Sequence, residues 1–232
     1  MTGNPKIDTS QHSPCGSAGV RLEVPYGSEN YQVRIWHLPP DGVIEYYPQP
    51  TVTHSWNLPV SGIVNIRRGC VVDIPPSGQC FEMTPDNRGQ LENGGTEALV
   101  LLEVCWGGHF QPVPLSEVTE TRPWGSFTVL KDEPTYKLKQ LVAKPCNRLS
   151  LQRHEKREEH WFVTQGQPEV TLDDAKILLE ARQYIKIPRR GWHRLANPAP
   201  EGASCVEIIE LQLGDYFGED DIERREDDYG RV

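Results

Sequence analysis

Gln152, His154, Glu159 and His193 are residues whose types and spacing could hold a metal ion. The run Leu149-Ser150-Leu151-Gln152-Arg153-His154 alternates apolar and polar positions, which is the period of a strand. Gln152 and His154 then share one face. The charged residues Glu155-Lys156-Arg157-Glu158 suit a tight connection, and Glu159 opens the next strand. Pairing of the two strands across that turn brings an amide, an imidazole and a carboxylate to one point. Pro188 and Gly191 make a later turn that delivers His193 at the start of another strand. Two imidazoles, one carboxylate and one amide oxygen suit a divalent first-row metal. A single negative ligand leaves such an ion with residual positive charge, able to polarise a carbonyl or a hydroxyl.

The elements that must position these groups read as short strands. Helix signals are scarce, and 20 Pro and 20 Gly are spread along the 232 residues, with apolar runs between them. Residues 1–20 form a polar, non-periodic stretch expected to be a loose N-terminal tail. A β-rich domain is expected over 21–115, a Pro-containing linker over Gln111 to Arg122, and a second β-rich domain over 122–232 with a charged C-terminal tail. The two β-rich regions echo one another. Leu91-Glu92-Asn93 followed by the strand Leu99–Val104 and Gly107 parallels Leu195-Ala196-Asn197 followed by Val206–Leu211 and Gly214. His54-Ser55-Trp56 before Gly62 similarly echoes His160-Trp161 before Gly166. Counting back from Asn93, the position of His193 falls on Gly89, and no Gln-x-His precedes His54. The first copy is therefore expected to lack metal ligands and to serve in packing or assembly.

A formal net charge of -9 argues against nucleic acid or an anionic membrane surface as a partner. The six cysteines, Cys15, Cys70, Cys80, Cys105, Cys146 and Cys205, form no C-x-x-C pair and read as reduced thiols of a cytosolic protein. There is no apolar stretch long enough to span a bilayer and no signal-peptide pattern at the start, so a cytoplasmic location is expected.

Several motifs resemble a known family. Gln152-x-His154, four residues, Glu159, six residues, Gly166 is similar to the first cupin motif, with Gln in place of its first His. Pro188, four residues, His193, three residues, Asn197 is similar to the second. Arg122-Pro123-Trp124-Gly125-Ser126, Arg157-x-Glu159-His160-Trp161, Gly218–Ile222 and Glu226-Asp227-x-Tyr229-Gly230-Arg231 resemble the C-terminal cupin of type II phosphomannose isomerases. The resemblance covers Arg122 to Arg231. It implies a cupin barrel (double-stranded β-helix, or jelly-roll) with the metal inside, and together with the internal echo the chain reads as all-β, two tandem cupin barrels, the first degenerate. The resemblance also implies interconversion of mannose 6-phosphate and fructose 6-phosphate, with Gln152, His154, Glu159 and His193 as metal ligands. The cofactor is a divalent ion, zinc first, with manganese, iron, cobalt or nickel as further candidates. The implied partner is a small-molecule sugar phosphate, with a homodimer as an option.

The family's basic residue before its ligand Glu corresponds to Arg157, which gains a substrate-binding and catalytic role by the resemblance; a solvated turn residue is the alternative. Lys137 and Lys139 share a face of the strand Tyr136 to Val142. If that face lines the barrel, Lys137 is a proton-transfer candidate and Lys139 a phosphate ligand; a solvated outer face is the alternative. Two departures stand out. The family often has His where Glu155 and Lys156 stand, and its second motif usually has Gly where Arg190 stands, so Arg190 would narrow the pocket or supply a cation to substrate. The family is usually fused to a nucleotidyltransferase, but no Gly-rich nucleotide loop occurs near the start here, and guanylyltransferase activity is not expected. His160 reads as a structural hydrogen-bonding residue, Trp161 and Trp192 as packing, His54 and His109 as structural, and Glu219-Asp220-Asp221 as a solvated run. Competing readings are a sugar-phosphate-binding cupin without catalysis and a metal-dependent cupin oxidoreductase.

Overall fold

The structure is a computed structural model, and it describes residues 17–45, 52–76, 78–107, 110, 112–115 and 119–230. Most of the expected N-terminal tail, with Cys15, and also His109 lie outside the described residues. Among the described residues there is no α-helix; the chain is built of strands and two 3-10 turns, Pro85–Asn87 and Glu219–Asp221. The chain divides into two compact units. Unit 1 comprises residues up to Val24 and Gln32–Phe110, and unit 2 comprises Pro25–Tyr31 and Gln111–Val232.

The first nine strands are β1 (Arg21–Gly27), β2 (Tyr31–Leu38), β3 (Val43–Glu45), β4 (His54–Ser61), β5 (Val64–Arg68), β6 (Val71–Asp73), β7 (Phe81–Met83), β8 (Gln90–Asn93) and β9 (Leu99–Trp106). They form a sheet in the order β1-β2-β9-β4-β7 and a second in the order β3-β8-β5-β6. Trp36, Leu38, Ile44, Ile66, Leu91, Leu99 and Leu101 are buried in one apolar cluster.

The remaining strands are β10 (Thr119–Arg122), β11 (Gly125–Glu133), β12 (Tyr136–Ala143), β13 (Asn147–Arg148), β14 (Leu151–His154), β15 (Arg157–Gln165), β16 (Glu169–Leu172), β17 (Ala175–Leu178), β18 (Tyr184–Ile187), β19 (His193–Asn197), β20 (Val206–Gly214) and β21 (Ile222–Glu226). One sheet runs β10-β11-β12-β20-β15-β18 and the other β17-β16-β19-β14-β21, with β13 also on β19. The sheets are open, so unit 2 is a jelly-roll sandwich rather than a closed barrel. Leu141, Ala143, Trp161, Val163, Ile187, Leu195, Val206 and Ile208 fill its core. Each fully buried Val, Leu or Ile side chain among them contributes roughly 1.5–3 kcal/mol. The charged C-terminal stretch is not a free tail: β21 pairs with β14, placing Ile222 opposite His154 and Arg224 opposite Gln152.

The two units repeat one another in detail. β4 pairs with β9 as β15 pairs with β20, and each pair carries a bulge at the same place, between Pro59 and Ser61 in β4 and between Val163 and Gln165 in β15. The glycine after each bulged strand, Gly62 or Gly166, has φ of 83° or 81°. Only glycine takes that backbone without strain. Asn93 donates through Nδ2 to Leu38 O and Glu97 O; Asn197 donates to Ala143 O and Ser204 O. This register aligns Ser55 with Glu159 and Trp56 with His160, two positions away from the alignment that the bare sequence echo suggests.

Candidate metal centre

Glu159 is the third residue of β15, and its neighbours on β20 and β18 are Gln212 and Ile187. The same face carries Trp161 and Val163, both in the core. His154 ends β14, and His193 begins β19 directly opposite Gln152. The turn that carries His193 is closed by Gly191 N donating to Pro188 O, and Arg190 N donates to His154 O at 2.7 Å, tying the two histidine-bearing segments together. The ligand atoms of His154, Glu159 and His193 lie within 4.8 Å of one another, and all three residues are buried.

The hydrogen bonding leaves the inner atoms of this group free. His193 Nδ1 lies 2.9 Å from Gly191 O, which holds the proton on Nδ1 and leaves the Nε2 lone pair outward. His193 Nε2 and His154 Nε2 are buried without an aligned hydrogen-bond partner, although each lies near Glu159, at 3.4 and 3.1 Å. Glu159 is oriented by Trp161 Nε1, donating to Oε2 at 3.1 Å, and by Gln212 Nε2, donating to Oε1 at 2.9 Å. Buried nitrogens with nothing to bind are costly unless another group fills the gap. Two imidazoles and a carboxylate held from behind fit a divalent ion. Gln152 shares the register position of His193, and its Oε1 accepts from Ser150 Oγ at 2.9 Å.

Burial drives the His154 pKa down, whereas at His193 burial is outweighed by the Glu159 carboxylate and the value is raised. Burial opposes ionisation of Glu159, but the two imidazoles hold its carboxyl well below the ordinary range.

The other anticipated residues divide. Arg157 opens β15 and is buried: its Nε lies 3.6 Å from Glu159 Oε1, and its Nη1 is 3.6 Å from Asp221 and donates to Gly218 O at 3.3 Å. Lys137 and Lys139 lie on the inner face, opposite Gln212 and Glu210 respectively. Lys139 Nζ is 3.5 Å from Glu210; Lys137 Nζ is 3.0 Å from Asp132. Arg190 points outward, with a side chain 72% exposed and paired with Glu155. His160 bonds to Tyr184 Oη at 2.7 Å and Glu158 at 3.0 Å on the face away from the centre. Asp221, within the acidic run read as solvated, accepts from the backbone N–H groups of Glu155 and Lys156.

Sequence reasoning assigned no role to Glu210 and Gln212. Gln212 Nε2 bridges Glu159 and Glu210, donating to the latter at 3.1 Å. Burial, and then the charge of Glu159, raise the Glu210 carboxyl to about 7. The signal was the polar pair itself: Glu210 and Gln212 share a face with core residue Ile208, and acids are seldom wholly buried without a task.

Unit 2 is thus an antiparallel jelly-roll of the cupin kind, with a His–Glu–His cluster between its sheets that could hold a metal ion. Residues 114–227, just under half the chain, match the family described as mannose-6-phosphate isomerase C-terminal. The alginate biosynthesis protein AlgA of Pseudomonas aeruginosa is 50% identical over 111 residues, 48% of this chain and 22% of that protein. The xanthan biosynthesis protein XanB of Xanthomonas campestris pv. campestris (strain B100) is 46% identical over 111 residues, 48% of this chain and 23% of that protein. The match thus spans under a quarter of the length of these curated relatives. A solved structure of Bacillus subtilis oxalate decarboxylase aligns with a TM-score of 0.42 and 14% identity, covering 86% of this chain and 74% of that one. Among the described residues, no helix is long and apolar enough to cross a membrane.

Proposed function

We propose that unit 2 is a divalent-metal-dependent aldose–ketose isomerase that interconverts mannose 6-phosphate and fructose 6-phosphate. The observation that carries this reading is the convergence of His154, Glu159 and His193 inside the segment that matches the isomerase family. A bound divalent ion, zinc in this proposal, would supply stabilisation of negative charge developing on the sugar oxygens. His154, Glu159 and His193 would hold it, with Gln152 as a fourth ligand. The buried Arg157 guanidinium, 3.6 Å from Glu159, would bind anionic oxygen of the substrate beside them. Lys137 and Lys139 line the same inner face and would attract the phosphate. We further propose a cytoplasmic protein that works on a small sugar phosphate, as a homodimer, without nucleic acid or membrane partners.

A coupled assay of fructose 6-phosphate formation, on chelated protein and after return of each ion, tests the reading. Turnover is expected only after metal return, and His154→Ala is expected to lose both the bound ion and the activity. Full turnover by metal-free His154→Ala would exclude it. A second reading, a sugar-phosphate-binding protein without catalysis, is favoured by the Glu155–Arg190 pair at the rim, where the resembling family carries histidines and glycine. Saturable binding of mannose 6-phosphate by metal-loaded protein, with no turnover, would select it.

A further inference from the structure

Outside the His154–Glu159–His193 group, the inner face of unit 2 carries a second buried carboxylate. Glu210 is 4% exposed, lies opposite Lys139 on one side and Trp161 on the other, and is joined to Glu159 through the single amide of Gln212. The repeated fold provides the comparison. Glu103 occupies the place of Glu210 in unit 1, and Arg34 the place of Lys139. There, Trp36 Nε1 donates to Glu103 at 2.9 Å and Arg34 Nη1 at 3.5 Å. Trp36 corresponds to Leu141 in unit 2, so Glu210 has no indole donor. It keeps Gln212 at 3.1 Å and the Lys139 ammonium at 3.5 Å. In unit 1 the carboxylate meets an indole and a guanidinium; in unit 2 it meets an ammonium and the amide that also holds Glu159, which couples it to the His–Glu–His cluster.

We infer that Glu210 is the catalytic base that carries the proton between C1 and C2 of the sugar phosphate. This rests on the isomerase reading above. Glu210 removes the proton from C2 of the open-chain aldose. The C–H electron pair forms the C1=C2 bond, and the carbonyl pair moves to O1. The Glu210 carboxylic acid then returns the proton to C1, taking up the C1=C2 pair, while the O2 proton passes to O1 and O2 becomes the ketone oxygen. No oxidant or reductant is consumed. One group serves both carbons because C1 and C2 are adjacent, so the acid need only shift by about one bond length.

The test compares wild type, Glu210→Gln and Glu210→Asp, each metal-loaded, in deuterated water with mannose 6-phosphate. Metal content is read by mass spectrometry, substrate binding by calorimetry, turnover by the coupled assay and deuterium entry at C2 by NMR. Glu210→Gln is expected to keep metal and substrate affinity within about threefold, while kcat and deuterium entry fall by roughly 10²–10⁴. Glu210→Asp, which keeps the carboxylate, is expected to recover part of both. Turnover by Glu210→Gln within about threefold of wild type would overturn the proposal. So would loss of metal from that variant, which would make Glu210 a support for Glu159 instead. Wild type that neither turns over nor exchanges with any ion would refute the isomerase reading itself, and that arm needs no variant.

Discussion

At the scale of single residues, the centre depends on how Glu159 and Glu210 divide one buried space. Two imidazoles keep Glu159 ionised, and that charge, added to burial, pushes Glu210 up to about 7. A carboxyl raised in the folded state keeps its proton where the unfolded chain has released it. Stability of the metal-free protein should therefore fall as pH rises from the ordinary carboxylate range toward 7, and level off above it. Glu210→Gln removes this penalty. In thermal unfolding of metal-free protein, the variant's melting temperature should rise relative to wild type between about pH 5 and pH 8. A difference that is flat or opposite in sign over that range would mean that Lys139 neutralises Glu210 fully. His154, Glu159 and His193 were legible in the sequence because their spacing follows from strand alternation and one Pro-Gly turn. Glu210 was not, since its meaning depends on which strand lies beside β20 and on an amide 53 positions from Glu159.

At the scale of elements, the turns decide where the imidazoles arrive. Arg190 has φ of 66°, a left-handed backbone that costs a side-chain-bearing residue roughly 1–2 kcal/mol. Its only described side-chain partner is Glu155, in an exposed pair of the kind that adds little. Arg190→Gly should thus raise the stability of the protein by about 0.5–1 kcal/mol in denaturant unfolding, once the greater freedom of glycine in the unfolded chain is subtracted. If Arg190 also grips the substrate, the same variant will raise KM with kcat unchanged; equal KM values would confine it to the rim. The strands themselves were readable from their apolar alternation. The role of the acidic run was not, because Asp221 is drawn inward by the Glu155–Lys156 turn, a contact that depends on the β14–β21 pairing.

At the scale of the molecule, the chain is a pair of repeated sandwiches with different fates. The echo of Asn93 with Asn197 and of Gly62 with Gly166 was visible in sequence. Matching His54 with His160 departs by two residues from the spacing those pairs share, and the paired strands set the register by the glycines. The interleaving was not readable: Pro25–Tyr31 belongs to unit 2, where Gly27 bridges to Val113 and Tyr31 donates its hydroxyl proton to Glu207. Unit 1 has its own closed core, and Cys105 reports on it. Burial pushes its thiol well above the ordinary range, whereas Cys70 and Cys146 are exposed. In native protein treated with iodoacetamide near pH 8, mass spectrometry should find Cys70 and Cys146 modified and Cys105 protected until the protein is unfolded. Early labelling of Cys105 would mean that unit 1 opens on its own at low cost.

Gly89 shows how closely the backbone of unit 1 fills the place that His193 takes in unit 2. It occupies the position of His193, and a Cβ built there would lie 2.6 Å from Arg67 O and 2.9 Å from Arg68 Cγ. Any side chain at this position would have to displace the neighbouring strand before it could reach a metal. Gly89→His alone would therefore not recreate in unit 1 the place that His193 holds in unit 2, because β5 would have to shift as well.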